Sequence, residues 1–336
     1  MKKIVHNQNK KFANVMLQYL IILLDDSSTS YCHYDSLSTN RLIGLPDLAE
    51  GIKFAMKENL MIQFVYPDFD LPTEYKKLIE TIDHSKIMPS TSPLLDDADI
   101  IVFNNWKELV GSLSTDKSTC VLRITKEDLF AQKELVKLSV GKFLRLNIVI
   151  TNVDSFTEAE LQEYKSVISA LGKEVERLFG LGQSPQINLI TDRIALTKMN
   201  NCNAGCNNIT LAPDGNFYVC PAFYYSGEED KTAFNIGNLQ SGLKIKSANL
   251  YKLPYAPLCR NCDAYQCKRC VWINRKMTYD ITTPSHEQCV LAHIERNESR
   301  RVLESIRKEK DLYPEQDIPE IEYLDPYEVR VDWHKM

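Results

Sequence analysis

The sequence predicts an α/β protein: a parallel sheet, open or curled into a partial barrel, followed by a small cysteine-rich segment. Three observations carry this. Six short apolar runs alternate with helix-compatible stretches as far as Ile190, the pattern of strand–helix–strand units. After Thr191 the alternation stops, and cysteine, asparagine, tyrosine and glycine turns take over. Eight of the ten cysteines lie beyond position 201.

The elements follow in chain order. Residues 16–24 (MLQYLIILL) are an apolar run stopped by Asp25 and Asp26, which reads as a buried strand. A helix is expected over 45–58: Pro46 suits its first turn, and Leu45, Leu48, Ile52, Ala55 and Met56 share a face, with Asn59 as the stop. Met61–Tyr66 is a second strand, followed by a helix near 71–83. Asp99–Phe103 and Thr119–Thr125 are further strands; 126–139 is the clearest helical stretch between strands, and Leu144–Thr151 is a fifth strand. Ser155 or Thr157, with Glu158 or Glu160 three residues on, caps a long helix. Its apolar positions Leu161, Tyr164, Ile168, Leu171, Val175 and Leu178 recur by three and four, and Gly180 and Gly182 end it. Ile187–Ile190 is the sixth strand. Residues 290–310 are helical with mixed charge, and the acidic, proline-containing tail from Tyr313 is expected to lie extended on the surface or disordered.

Composition narrows the class. The 336 residues, 44% hydrophobic, suffice for a real core in roughly two domains. The net charge is −5 and lysines and arginines are scattered among acids, which excludes a nucleic-acid footprint. The longest early apolar run, Tyr19–Leu24, is too short to span a membrane, and no small-residue cleavage site follows it. A soluble cytoplasmic protein without membrane or nucleic-acid partners is expected. The boundaries fall at 1–195 for the α/β unit, 196–295 for the cysteine-rich unit and 296–336 for a helix and extended acidic tail.

The cysteines are the strongest signal. Cys202-x3-Cys206-x13-Cys220 forms one group; Cys259-x2-Cys262-x4-Cys267-x2-Cys270 forms another, and Cys289 follows. With no export signal, thiolates held for metal are a better reading than disulfides. Eight soft ligands make two tetrathiolate sites without remainder, and such sites suit zinc or a [4Fe–4S] cluster. Asp214-Gly215 is a turn that returns the chain toward the metal, and Cys220-Pro221 is a step also seen in ferredoxin-type runs. Spacing alone leaves zinc and iron–sulfur level. His286 and His293 flank Cys289 and read as surface or supporting residues, since the cysteines already fill two sites.

This arrangement closely resembles the SPASM domain of radical S-adenosylmethionine (SAM) enzymes that modify peptides: a cysteine, a Gly-x4-Cys, a four-cysteine run and a last cysteine. The resemblance spans about residues 1–295. It implies that the upstream segment is a partial (β/α)6, TIM-like barrel and that the cysteines hold two auxiliary [4Fe–4S] clusters. Its ligand order assigns Cys202, Cys206, Cys220 and Cys270 to the first cluster, and Cys259, Cys262, Cys267 and Cys289 to the second. The four-cysteine run departs from the family form, with x2, x4, x2 in place of x2, x5, x3.

A second departure bears on mechanism. Radical SAM chemistry needs CxxxCxxC after the first strand. With Cys32 placed as the third ligand, the other two positions hold Asp25 and Thr29, hard oxygen donors unsuited to that cluster. The Gly-Gly-Glu that grips SAM after strand two is also missing; Val65-Tyr66-Pro67-Asp68 stands there. SAM binding and radical SAM activity are therefore not expected. Cys32 reads as an ordinary loop cysteine rather than a leftover ligand, Asp25 and Asp26 as solvated strand-end acids, and Cys120 as core.

The stretches SYCHYD, EGIKFAMKENLMIQFVYPDFDLP and CNNITLAPDGNFYVCPAFYY resemble the CXXX-repeat peptide maturases. That likeness implies a cysteine-repeat precursor peptide and a partner radical SAM enzyme. The expected function is thus an accessory maturation protein for a ribosomally synthesised, post-translationally modified peptide. A zinc-stabilised peptide-binding module and a peptide-modifying enzyme using an auxiliary cluster are the alternatives.

Overall fold

A computed structural model describes residues 17–111, 118–308 and 312–325. Met16 of the first expected strand, positions 309–310 of the last helix and 326–336 of the tail lie outside the described residues.

The first half winds six parallel strands: β1 (Tyr19–Leu23), β2 (Met61–Val65), β3 (His84–Pro89), β4 (Ile100–Phe103), β5 (Thr119–Ile124) and β6 (Arg145–Ile150). Between and after them run helices α1 (Leu45–Glu58), α2 (Thr73–Ile79), α3 (Trp106–Gly111), α4 (Lys126–Ala131), α5 (Lys133–Ser139) and α6 (Glu158–Gly180). Helix α1 has the expected bounds, and Asn59 ends it in the left-handed region at φ 54°. Thr157 and Glu160 close a capping box on α6. The expected helix over 126–139 breaks at Gln132 into α4 and α5.

One of the six strands differs from expectation. β3 replaces the one expected at Ile187–Ile190. His84–Pro89 is polar along its first half, so its pattern does not announce a strand, but it pairs with β2 on one side and β4 on the other. Ile187 makes only a single bridge to Leu146. The Asn188 side chain then takes the strand's place: its Oδ1 accepts from Ile148 N at 2.8 Å and its Nδ2 donates to Ile148 O at 2.9 Å. Thr191 Oγ1 accepts from Ile187 N at 2.8 Å and turns the chain into α7 (Thr191–Ala195).

The sheet continues beyond position 195. β7 (Asn208–Leu211) pairs parallel with β1, and β8 (Asn216–Tyr218), β9 (Asn235–Asn238) and β10 (Gly242–Leu243) add antiparallel strands outward. The result is one ten-stranded sheet in the order β10-β9-β8-β7-β1-β2-β3-β4-β5-β6. Short helices α8 (Pro221–Tyr224), α9 (Glu228–Ala233) and α10 (Val271–Thr278) follow, and α11 (His286–Arg307) closes the chain against α6. Tyr164 Oη of α6 donates to Glu295 of α11 at 2.7 Å, and Arg301 of α11 meets Glu176 at 2.7 Å. The stretch 312–325 has no regular structure but packs down: Ile318 and Asp325 are buried, and Asp325 pairs with His286. Among the described residues no helix is long and apolar enough to cross a membrane.

The apolar interior gathers in two clusters. One joins β1–β3 with β7 and β8; the other joins β4–β6 with α6 and α11. Cys120 lies wholly inside the second. In the first, Gly51 of α1 lies against β7: a Cβ there would stand 2.4 Å from Leu211 Cδ2 and 3.7 Å from Ile22 Cδ1. Gly51→Val should therefore overpack this seam and cost about 1–3 kcal/mol. A lowered midpoint in urea unfolding checks it; an unchanged midpoint would show the seam to be slack.

Candidate metal centre

The pairing of β7 with β1 carries the cysteine-rich segment onto the barrel. Gln18 N and Tyr19 N both donate to Asn207 O, at 2.7 and 3.1 Å. The turn Cys202–Cys206 thereby sits at one end of β1, and the β7–β8 hairpin, turning at Gly215 with φ 77°, returns the chain to Cys220. Cys270 precedes α10, and Cys289 lies in the first turn of α11.

The cysteines gather around two cavities. The first, of about 250 Å³, has Cys202, Cys220 and Cys270 in its wall, together with Cys32. Tyr31, Tyr34 and Trp272 complete its apolar lining. Cys206 does not line it; its charged neighbours are Lys252 and Arg269. The second cavity is tighter, about 20 Å³, and is lined by Cys259, Cys262, Cys267 and Cys289 with His293. Among the described residues no three His, Cys, Asp or Glu side chains converge so as to hold a single metal ion. The thiols surround space rather than meet at a point.

Charge complements these thiols. Arg269 lies inside the Cys267-x2-Cys270 step in a left-handed conformation at φ 45°. It is 3% exposed, donates through Nη2 to Tyr251 O, and leaves Nε and Nη1 without a partner. Its thiol neighbours are Cys259, Cys267, Cys202 and Cys206, from both sets. A buried guanidinium with idle donors costs free energy unless negative charge stands beside it. Deprotonated, metal-bound thiolates supply that charge. Arg296 and Arg193, also buried, hold Asp263 next to Cys262. Burial would push the Asp263 carboxyl up, but these two cations outweigh it and hold it below the usual aspartate range. Burial raises the bare thiols well above their ordinary range, to about 11 for Cys259 and about 12 for Cys267 and Cys270. Loading a metal group must therefore release protons. The donor set and the idle cation fit a thiolate-ligated group of net negative charge, and the first cavity has room for one wider than a single ion.

The two flanking histidines part company. His286 is half-exposed and pairs with Asp325. His293 is buried with Nε2 3.4 Å from Cys262 Sγ, where it supports the second set.

The loop after β1 is closed upon itself. Asp25 and Asp26 are buried, not solvated. Asp25 Oδ1 accepts from Ser27 N at 2.8 Å, and Asp26 accepts from Tyr224 Oη and from Thr39 Oγ1. Thr29 N donates to Tyr66 O at 2.9 Å and Ser28 Oγ to Val65 O at 2.8 Å, so the end of β2 is covered by the chain's own loop. Arg123 of β5 clamps the next turn: Nε donates to Cys32 O at 3.0 Å, and Nη2 to Tyr34 O at 2.7 Å and Asp35 Oδ1 at 2.6 Å.

No protein-family profile matches the sequence, and no curated protein does. Solved structures do match the fold. His6-tagged anSMEcpe with bound AdoMet superposes with a TM-score of 0.61 at 13% identity, over 89% of this chain and 97% of that one. Native anSMEcpe with bound AdoMet gives 0.58 at 13%, over 87% and 100%. Native anSMEcpe with bound AdoMet and Cp18Cys peptide gives 0.52 at 15%, also over 87% and 100%. These are structures of an anaerobic sulfatase-maturating radical SAM enzyme.

At these identities the likeness is one of fold.

A third, open cavity of about 120 Å³ touches Cys267 and Cys270 and is lined by His33, Gln266, Lys268 and Glu295 together with core residues such as Ile148 and Leu291. Neither Glu295 nor Arg269 is announced by a motif. The one available signal for Arg269 is a cation inside a cysteine run. Burial pushes the Glu295 carboxyl up from 4.5 to about 7, and Asp192 adds to this, against the hydrogen bonds from Tyr164 and Gln266 and the Lys268 charge. The folded chain thus holds a proton between those values that the unfolded chain releases, so stability falls as pH rises through the window. Glu295→Gln should flatten that fall and stabilise the protein relative to wild type above pH 7. Unfolding midpoints at pH 5.5 and 8 check this; equal pH dependence in both proteins would refute it.

Proposed function

We propose that this chain is an accessory maturation protein for a ribosomally synthesised cysteine-repeat peptide, acting with a partner radical SAM enzyme in the cytoplasm. One observation carries the reading: on a radical SAM-like fold, seven of the eight C-terminal cysteines line two cavities fit for thiolate-ligated groups, while the loop after β1 offers one cysteine and no CxxxCxxC. Two [4Fe–4S] clusters would supply one-electron transfer or a docking point for cysteine-rich peptide. The second would be held by Cys259, Cys262, Cys267 and Cys289. Cys202, Cys220 and Cys270 belong to the first, with Cys206 completing it in the family pattern.

The residues of the chain divide the work in this reading. Arg269 balances charge between the two sets, and His293 and the Asp263–Arg296 pair orient the second. The Ser28 Oγ and Thr29 N bonds support a barrel mouth that takes no SAM, since they already use the Val65 and Tyr66 carbonyls at the end of β2. The peptide-bound form of anSMEcpe supports a peptide as the client. The arrangement of the first thiol set around a cavity favours a cluster over zinc, which needs four donors converging on one point.

Anaerobically purified protein should contain about eight iron and about eight sulfide per chain, the content of two [4Fe–4S] clusters. Stoichiometric zinc without visible absorption would overturn the reading. The protein alone, with SAM and dithionite, should neither cleave SAM nor change the mass of a precursor peptide. Either event would make it an enzyme in its own right.

A further inference from the structure

Cys32 was expected to be an ordinary loop cysteine, yet it lies in the wall of the first cavity with Cys202, Cys220 and Cys270, where the family pattern would have Cys206. Its place is built rather than incidental. Ser30 Oγ donates to Tyr34 O, the Arg123 guanidinium grips the carbonyls of Cys32 and Tyr34, and His33 Nδ1 is 2.9 Å from Ile150 O at the end of β6. Two separate strands, β5 and β6, thus fix the turn that carries the thiol. All four thiols, Cys32, Cys202, Cys220 and Cys270, line the same cavity of about 250 Å³. Cys206 lies outside that wall. Its backbone is committed to the tight turn in which Cys206 N donates to Asn203 O at 3.0 Å.

We infer that the first cluster is held by Cys32, Cys202, Cys220 and Cys270, so that the barrel loop supplies one ligand and Cys206 stays outside as a thiol beside Arg269. This rests on the iron–sulfur reading above. It also gives the surviving cysteine of the β1 loop a role: in this chain it would serve the auxiliary site rather than a SAM-binding one.

The test compares Cys32→Ala, Cys32→Ser and Cys206→Ala with wild type, all purified anaerobically. Iron and sulfide are counted, and reduced samples are examined by electron paramagnetic resonance. Both Cys32 variants should lose or alter one cluster, iron falling from about eight to about four per chain on full loss. The signal of the second cluster persists and reports an intact fold. Cys206→Ala should keep about eight iron and an unchanged spectrum. Loss of one cluster in Cys206→Ala, or full iron and an unaltered spectrum in both Cys32 variants, would overturn the assignment. Absence of iron in the wild type would instead overturn the iron–sulfur reading. Zinc counts in the same variants would then decide the ligand set on their own.

Discussion

Everything in this molecule depends on one pairing of strands. β7 lies parallel to β1 across nearly two hundred residues of intervening chain, with Tyr19 opposite Asn208 and Ile22 opposite Leu211. Parallel neighbours are buried on both faces, so this register is held by the core, not by a turn. Leu211, Ile22 and Gly51 interlock at that seam. Because the register is fixed there, the turn Cys202–Cys206 at one end of β7 and the hairpin beyond its other end have no freedom to drift. The cysteines are separated in sequence by as much as a whole domain, and this pairing is what brings Cys32 and Cys202 to one cavity.

The second constraint is charge. Thiols buried this deeply resist ionisation, and arginines buried this deeply need anions. The structure places both together: Arg269 between the two cysteine sets, with Arg193 and Arg296 on the Asp263 side. Each problem is the other's solution once protons leave the thiols. That reciprocity explains why a cation as long as arginine is tolerated inside a run of cysteines. A chain without metal would carry neutral thiols and uncompensated guanidinium donors, which ties metal loading to the stability of the whole C-terminal half.

Most of the barrel was legible because its strands are bounded apolar runs and its long helix carries a capping box. The misreadings have specific physical causes. Ile187–Ile190 has the composition of a strand, but Asn188 and Thr191 offer side-chain hydrogen bonds that replace the ladder and turn the chain. His84–Pro89 lacks the pattern, yet two neighbouring strands supply its partners. The grouping of the cysteines was legible in part: spacing separated most of the members, but nothing local places Cys32 near Cys270. Asp26 looked solvated because its partners, Thr39 and Tyr224, are far along the chain, while Asp25 is buried with a local partner, Ser27.

The loop after β1 is where fold and function are most closely joined. A radical SAM enzyme keeps that loop free to carry a cluster and leaves the next strand end open to SAM. Here Ser28 Oγ and Thr29 N are spent on the end of β2, Asp26 on Tyr224 and Thr39, Asp25 Oδ1 on Ser27, and the Cys32 and Tyr34 carbonyls on Arg123. Each contact removes a donor or acceptor that a ligand would use and adds rigidity to the turn at Cys32. On the proposed reading these are not two separate changes. A loop that no longer serves SAM is free to pack, and packing it under Arg123 is what delivers its one remaining thiol to the neighbouring metal site.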